Sequence, residues 1–229
     1  MVWGHAMAAR KRAIRSSKKP VPVRRAPTPR GVDREAKVLK VKLPAQNRAA
    51  ADGILDRIAY VRGLIREVPD FPRPGILFRD ITPLIADPRG FHMVLDALAE
   101  RFVGEHVDAV VGIESRGFIF GGALAARLNA SFVPIRKPGK LPYRVDRVSY
   151  SLEYGENELE MHRDALPEGT SVVVVDDLLA TGGTAAAAAE LVHRQGAYVA
   201  AFAFIVELDG LSGRERLLPT PVFSLLHYD

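Results

Sequence analysis

Apolar positions along the chain keep two rhythms, and the changes between them mark out the elements. Ile54, Ile58, Val61, Leu64, Ile65 and Val68 recur at steps of three and four. That spacing predicts an amphipathic helix from Ala49 that Pro69 ends. The prolines of Asp70–Asp80 forbid helix and favour an extended, rigid loop. Asp87-Pro88 is a helix start, and Phe91, Val94, Leu95, Leu98 and Phe102 form the buried stripe behind it. Short β-branched runs then predict strands at Asp108–Ile113, Ser131–Arg136, Tyr198–Leu208 and Val222–Tyr228, with helices at Phe118–Leu128 and near Ser212–Leu218. Val148–Tyr154 and Glu158–His162 alternate as an antiparallel hairpin around Gly155.

The densest stretch is VVVVDDLLATGGT, Val172–Thr184, followed by an Ala-rich helix Thr184–Val192. An unbroken β-branched run is the mark of a strand buried on both faces of a parallel sheet. Strands alternating with helices imply right-handed crossovers, so the fold class is α/β: a mainly parallel sheet flanked by helices, with one hairpin. Ligands of such sheets bind at the carboxyl ends of the strands. Three loops leave those ends: Glu114–Gly117, Lys137–Lys140 and Asp176–Thr184. In the last of them, glycines at a helix start let a phosphate approach unpaired backbone N–H groups. The adjacent carboxylates would meet a ribose diol or a magnesium-bound sugar. Taken by themselves, Gly182-Gly183 fits a plain βα turn equally well, and Asp176-Asp177 a helix cap.

Charge divides the chain. Residues 1–48 hold fourteen Lys or Arg against two acidic residues; residues 49–229 hold eighteen against twenty-five. The high pI therefore belongs to the tail, and the remainder is acidic. The tail lacks the apolar periodicity to offset its ordering entropy, so it is expected to be disordered, with the domain at 49–229. A weak tether to nucleic acid or an anionic surface, a transit peptide, and a dispensable extension or a start codon placed too far upstream (Met7 is a second candidate) all remain open; the extension or misplaced start is favoured. With no cysteine there is no disulfide, thiol nucleophile or Cys-based metal site, which fits a cytoplasmic enzyme. The six histidines show no metal-ligand spacing, and no apolar run is long enough to span a membrane.

The signature lacks the lysine of an ATP P-loop and the GxGxxG of a dinucleotide site. It resembles instead the phosphoribosyl pyrophosphate motif of type I phosphoribosyltransferases. Leu178-Leu179-Ala180, PDFPRPGILFRDITPL, GIESRGFIFG, IRKPGKLPY and SYSLEYG are similar, in order, to motifs of the adenine phosphoribosyltransferases. That likeness spans roughly Ile54 to Tyr228. It implies transfer of a phosphoribosyl group from phosphoribosyl pyrophosphate to adenine, giving AMP and pyrophosphate. Magnesium would be carried with the pyrophosphate substrate, and no residue is assigned as a metal ligand. A homodimer is implied as well, in which a basic residue reaches the neighbouring site.

The same resemblance assigns roles. Asp176 and Asp177 would hold the ribose hydroxyls, and Ala180, Thr181, Gly182, Gly183 and Thr184 would cradle the 5′-phosphate. Phe78 and Leu178 would sandwich the base while the backbone about Leu77 and Arg79 reads its edge. Arg116, Lys137 and Lys140 would face the pyrophosphate, with the Ser115–Arg116 peptide cis. Glu153 is the candidate for proton transfer at the purine, and Tyr154 would close over the site. Two other readings remain: a transferase for guanine, hypoxanthine or xanthine, and a non-catalytic regulator that senses the same substrate. The regulator would need a DNA-binding module, for which residues 1–48 lack the apolar pattern.

If the tail adds charge but no core, deleting residues 1–48 leaves thermal stability and turnover nearly unchanged. A melting temperature lower by more than about 5 °C would show that it packs.

Overall fold

Val172–Val175 lie at the centre of a five-stranded parallel sheet and are fully buried, with side chains alternating between its two faces. In this computed structural model residues 45–151 and 156–229 are described. Nearly all of the basic tail, together with Glu153 and Tyr154, lies outside the described residues. In chain order come α1 (Ala45–Gly63), β1 (Arg66–Val68), β2 (Phe78–Asp80), α2 (Thr82–Ala86), α3 (Pro88–Arg101), β3 (Ala109–Ile113) and α4 (Gly117–Leu128). Then follow β4 (Ser131–Ile135), the hairpin β5 (Val145–Ser151) and β6 (Glu156–His162), β7 (Ser171–Leu179) and α5 (Gly183–Arg194). The chain closes with β8 (Tyr198–Leu208), two 3-10 turns (Asp209–Leu211 and Gly213–Leu217) and β9 (Val222–Tyr228).

The sheet runs β4-β3-β7-β8-β9, every neighbouring pair parallel. On one face Val110, Val173, Val175 and Ala203 pack with Phe120 and Leu124 of α4, Val94 and Leu98 of α3 and Val61 of α1. On the other, Val111, Val172 and Val174 pack with Ala188 and Leu191 of α5 and with Val148, Leu159 and Met161 of the hairpin. Strand periodicity thus feeds two cores at once, which is why the run has no polar position before Asp176. After β3 the chain turns toward β4; after β7 it turns the other way, toward β8. The switch point between them opens a crevice at their carboxyl ends.

Several expectations need correcting. α1 begins at Ala45, four residues before the expected start and inside the expected tail, and ends at Gly63; Ile65 and Val68, which continue the helical spacing, are not in it. Val68 instead belongs to β1, which pairs antiparallel with β2, Val68 opposite Phe78. β2 in turn closes the stretch Asp70–Asp80, expected to be an extended loop without a strand partner. β7 extends through both aspartates to Leu179, because Asp176 and Leu178 still pair with Phe204 and Val206 of β8. The hairpin begins at Val145 rather than Val148, and the expected helix near Ser212–Leu218 is the 3-10 turn Gly213–Leu217. The helix after Asp87 is as expected: the Asp87 carboxylate accepts from the Gly90 amide at 2.6 Å.

Leu191 is fully buried between α5 and the sheet. Leu191→Ala is therefore expected to lose about 2–5 kcal/mol in urea unfolding. A loss below about 1 kcal/mol would mean that this side of the core collapses around the gap.

Candidate active site

α4 is set hard against β7. A methyl group on Gly117 would stand 2.7 Å from the Val175 carbonyl oxygen and 3.0 Å from an Asp176 carboxylate oxygen. Just before it, the cis peptide is Glu114–Ser115 and not Ser115–Arg116. Arg116 already has helical dihedrals, and the Ser115 carbonyl accepts from the Phe118 amide, so the turn out of β3 is complete one residue earlier. The Arg116 guanidinium pairs with the Asp177 carboxylate and lies 5.6 Å from the centre of the Phe78 ring.

Asp177 is buried and Asp176 half-buried. Burial, and then the neighbouring Asp177 charge, push the Asp176 carboxyl well above its ordinary value of 3.8. The Asp177 amide donates to Asp176 at 2.9 Å, which opposes that rise without cancelling it. Beyond them Gly182 turns the backbone with φ 75°, a left-handed conformation that suits glycine, and α5 begins at Gly183. No side chain caps that helix start. A helix start of this kind carries unpaired N–H groups and partial positive charge, which suit an anion.

Phe78, Arg116, Asp176, Asp177, Leu178, Ala180, Thr181, Gly182, Gly183 and Thr184 line one cavity of about 270 Å³, together with Phe204. A second hollow shares Phe78 and Arg116 and is walled by Val68, Phe71, Asp80 and Thr82. Phe71 meets Phe78 edge-on, ring centres 5.1 Å apart. Bonds from the Thr82 hydroxyl and amide hold the Asp80 carboxyl below its ordinary range.

Other expected residues stand apart from the cavity. The Leu77 side chain is exposed, and the Arg79 guanidinium pairs with Glu67 and lies 4.1 Å over the Tyr228 ring, so only their backbones adjoin Phe78. Ser115 is exposed in its loop. Lys137 lines a separate hollow with Pro138, Tyr150, Asn157 and Glu158. Lys140 pairs with the carboxylate of Glu114, which also accepts from Arg136 Nε and the Lys137 amide, each at 3.1 Å. Burial would raise that carboxyl, but the bonds from Lys140, the Lys137 amide and Arg136 outweigh it and hold it low.

Glu114 therefore ties the basic loop to the end of β3, a role that its place in GIESRG did not reveal. Tyr150 was also missed: the Thr184 hydroxyl donates to its phenol oxygen at 3.2 Å, joining the hairpin to the start of α5. Among the described residues one trio, Glu207, Asp209 and His227, has metal-ligand spacing, but it lies outside the cavity and Glu207 is engaged by Arg214. A larger hollow of about 430 Å³ between α1, α3 and β9 contains none of the candidate residues.

The phosphoribosyl transferase domain family matches residues 85–225. An adenine phosphoribosyltransferase of Sorangium cellulosum is 65% identical over 176 residues, which are 75% of this chain and 88% of that relative. This chain belongs to the phosphoribosyltransferase family, among the adenine phosphoribosyltransferases. The crystal structure of such an enzyme from Rhodothermus marinus matches with TM-score 0.73 and 49% identity, over 76% of this chain and 99% of that one. The Saccharomyces cerevisiae enzyme, solved with an imino-altritol bisphosphate and adenine, matches with TM-score 0.71 and 42% identity, covering 75% and 99%.

The raised Asp176 carboxyl has a consequence for stability. Its contribution is full below the ordinary aspartate value and is lost as pH rises through the raised folded-state value. Asp176→Asn keeps the acceptor for the Asp177 amide and removes the buried charge. Its melting temperature should match wild type near pH 4 and exceed it as pH rises above the ordinary aspartate value. A variant that is less stable at the upper end would show that the charge is welcome there.

Proposed function

We propose that this chain transfers the 5-phosphoribosyl group from phosphoribosyl pyrophosphate to adenine, a step of purine salvage. One observation carries the reading: a single cavity joins an aromatic face, a carboxylate pair and a glycine-threonine loop at a helix start. Base, ribose and 5′-phosphate need those three chemistries in that order.

In the reaction a purine nitrogen bonds to the anomeric carbon as the carbon–oxygen bond to pyrophosphate breaks. The products are AMP and pyrophosphate, and the proton on the attacking nitrogen is released. Phe78 and Leu178 hold the base, and the backbone at Leu77 and Arg79 distinguishes a 6-amino from a 6-oxo edge. Asp176 and Asp177 fix the ribose hydroxyls as the sugar becomes oxocarbenium-like. Their oxygen donors suit magnesium arriving with the substrate, which would offset charge on the leaving group. Arg116, Lys137 and Lys140 bind pyrophosphate; the ion pairs of Arg116 with Asp177 and of Lys140 with Glu114 orient two of these cations. Glu153 takes or orients the base proton, and Tyr154 closes over it. The working unit is a homodimer in the cytoplasm, with residues 1–48 a dispensable tail outside the domain 49–229. A transferase for another purine, or a regulator without catalysis, is the alternative.

Adenine, guanine, hypoxanthine and xanthine offered in competition decide among these: adenine alone should be consumed at an appreciable rate. Turnover of a 6-oxo purine, or of none, would overturn the reading. Arg116→Lys keeps the charge but loses the planar fork, so the single-turnover rate should fall about 10²–10³-fold. AMP affinity should stay within about three-fold, since AMP carries no pyrophosphate. A wild-type rate would remove Arg116 from the mechanism.

A further inference from the structure

Gly213 stands far from the signature loop in sequence, yet the two backbones touch. A methyl group on Gly213 would lie 2.0 Å from the Ala180 carbonyl oxygen and 3.0 Å from the Gly182 amide nitrogen. One on Gly182 would lie 2.4 Å from the Gly213 carbonyl oxygen. Gly182 also needs its positive φ, but Gly213 is not in that region, so space alone requires glycine there. The contact sits directly behind the loop whose front lines the cavity.

What holds Gly213 in place is the next residue. Arg214 donates Nε and Nη2 to the Glu207 carboxylate at 3.0 and 2.5 Å, and Nη1 to the Val222 carbonyl at 2.6 Å. Glu207 is buried near the end of β8. Burial would raise its carboxyl, but the bond from Arg214 leads the effects that hold it low, so the pair is an ion pair. Leu217, buried at the end of the same turn, fastens the other side. An unbroken path therefore runs from the sheet, through an ion pair, into the backbone of the loop.

We propose that Gly213, fixed by the Arg214–Glu207 pair, is a positioning residue for the 5′-phosphate cradle Ala180–Thr184; this rests on the transferase reading above. A cradle of backbone amides binds a phosphate well only if it is already in place when the phosphate arrives. Gly213 supplies that support from behind without touching the ligand.

The test compares binding of AMP and adenosine, which differ only in the phosphate, to the full chain by calorimetry. Wild type should bind AMP the more tightly. Gly213→Ala should weaken AMP by about ten-fold or more, one charge-assisted bond, and leave adenosine within about two-fold. Glu207→Gln, which keeps size and relaxes the clamp, should move the same ratio by about three-fold. A folded Gly213→Ala that keeps the wild-type ratio, or weakens both ligands equally, overturns the proposal. Should that variant fail to fold by circular dichroism, Glu207→Gln decides on the same criterion. A wild type with no preference for AMP would bring down the transferase reading, and this proposal with it.

Discussion

A strand buried on both faces must be apolar along its length, yet the ligand of a parallel sheet is held at the strand's end. β7 meets both demands by changing character within one residue. Four valines divide between the two cores, and Asp176 and Asp177 follow while the pairing with β8 still continues. Because the aspartates are on the strand rather than in the loop, their backbone is fixed by the sheet. The cost appears in the Asp176 carboxyl, raised by burial and by its neighbour. Everything else at the site is arranged about this pair: Arg116 answers one of the two, and Gly117 lets α4 come close enough for it to do so.

The cations of the site are held in pairs. Arg116 lies on Asp177, while Arg136 and Lys140 share Glu114. Glu160, almost wholly buried, accepts from Arg147 and from the Gly139 amide and so ties the basic loop to the hairpin. A loop rich in positive charge would otherwise repel itself. These acids set the shape of that loop, and Glu114 ties it to the end of β3.

Much of this was legible in the sequence. The valine run, the Asp87 cap and the stripe of α3 are local signals, and local physics decides them. The β1–β2 ribbon was not legible, because Ile65 and Val68 happen to continue the helical period past Gly63 while the partners of Arg66–Val68 lie ten or more residues away. The extent of β7 was hidden because aspartate is a poor strand former in isolation, and pairing with β8 overrides that preference. Glu114 lay inside a stretch already singled out, but its partners come from the loop beyond β4. Gly213 carried no signal at all, since only the folded backbone brings it against Ala180. Long-range contact, not weak propensity, is what each of these has in common.

The plainness of α5 has its own consequence. Ala185, Ala187 and Ala188 are buried where the helix lies between the sheet and the β5–β6 hairpin, with Ala186 and Ala189 packed beside them. Methyl groups are the shortest side chains that still exclude water, so they bring three layers as near to one another as a helix allows. The hairpin rests on that spacing, and Tyr150 on it reaches Thr184 at the helix start. The alanine run thus works as a shim: its thickness sets how close the hairpin sits to the sheet and to the start of α5.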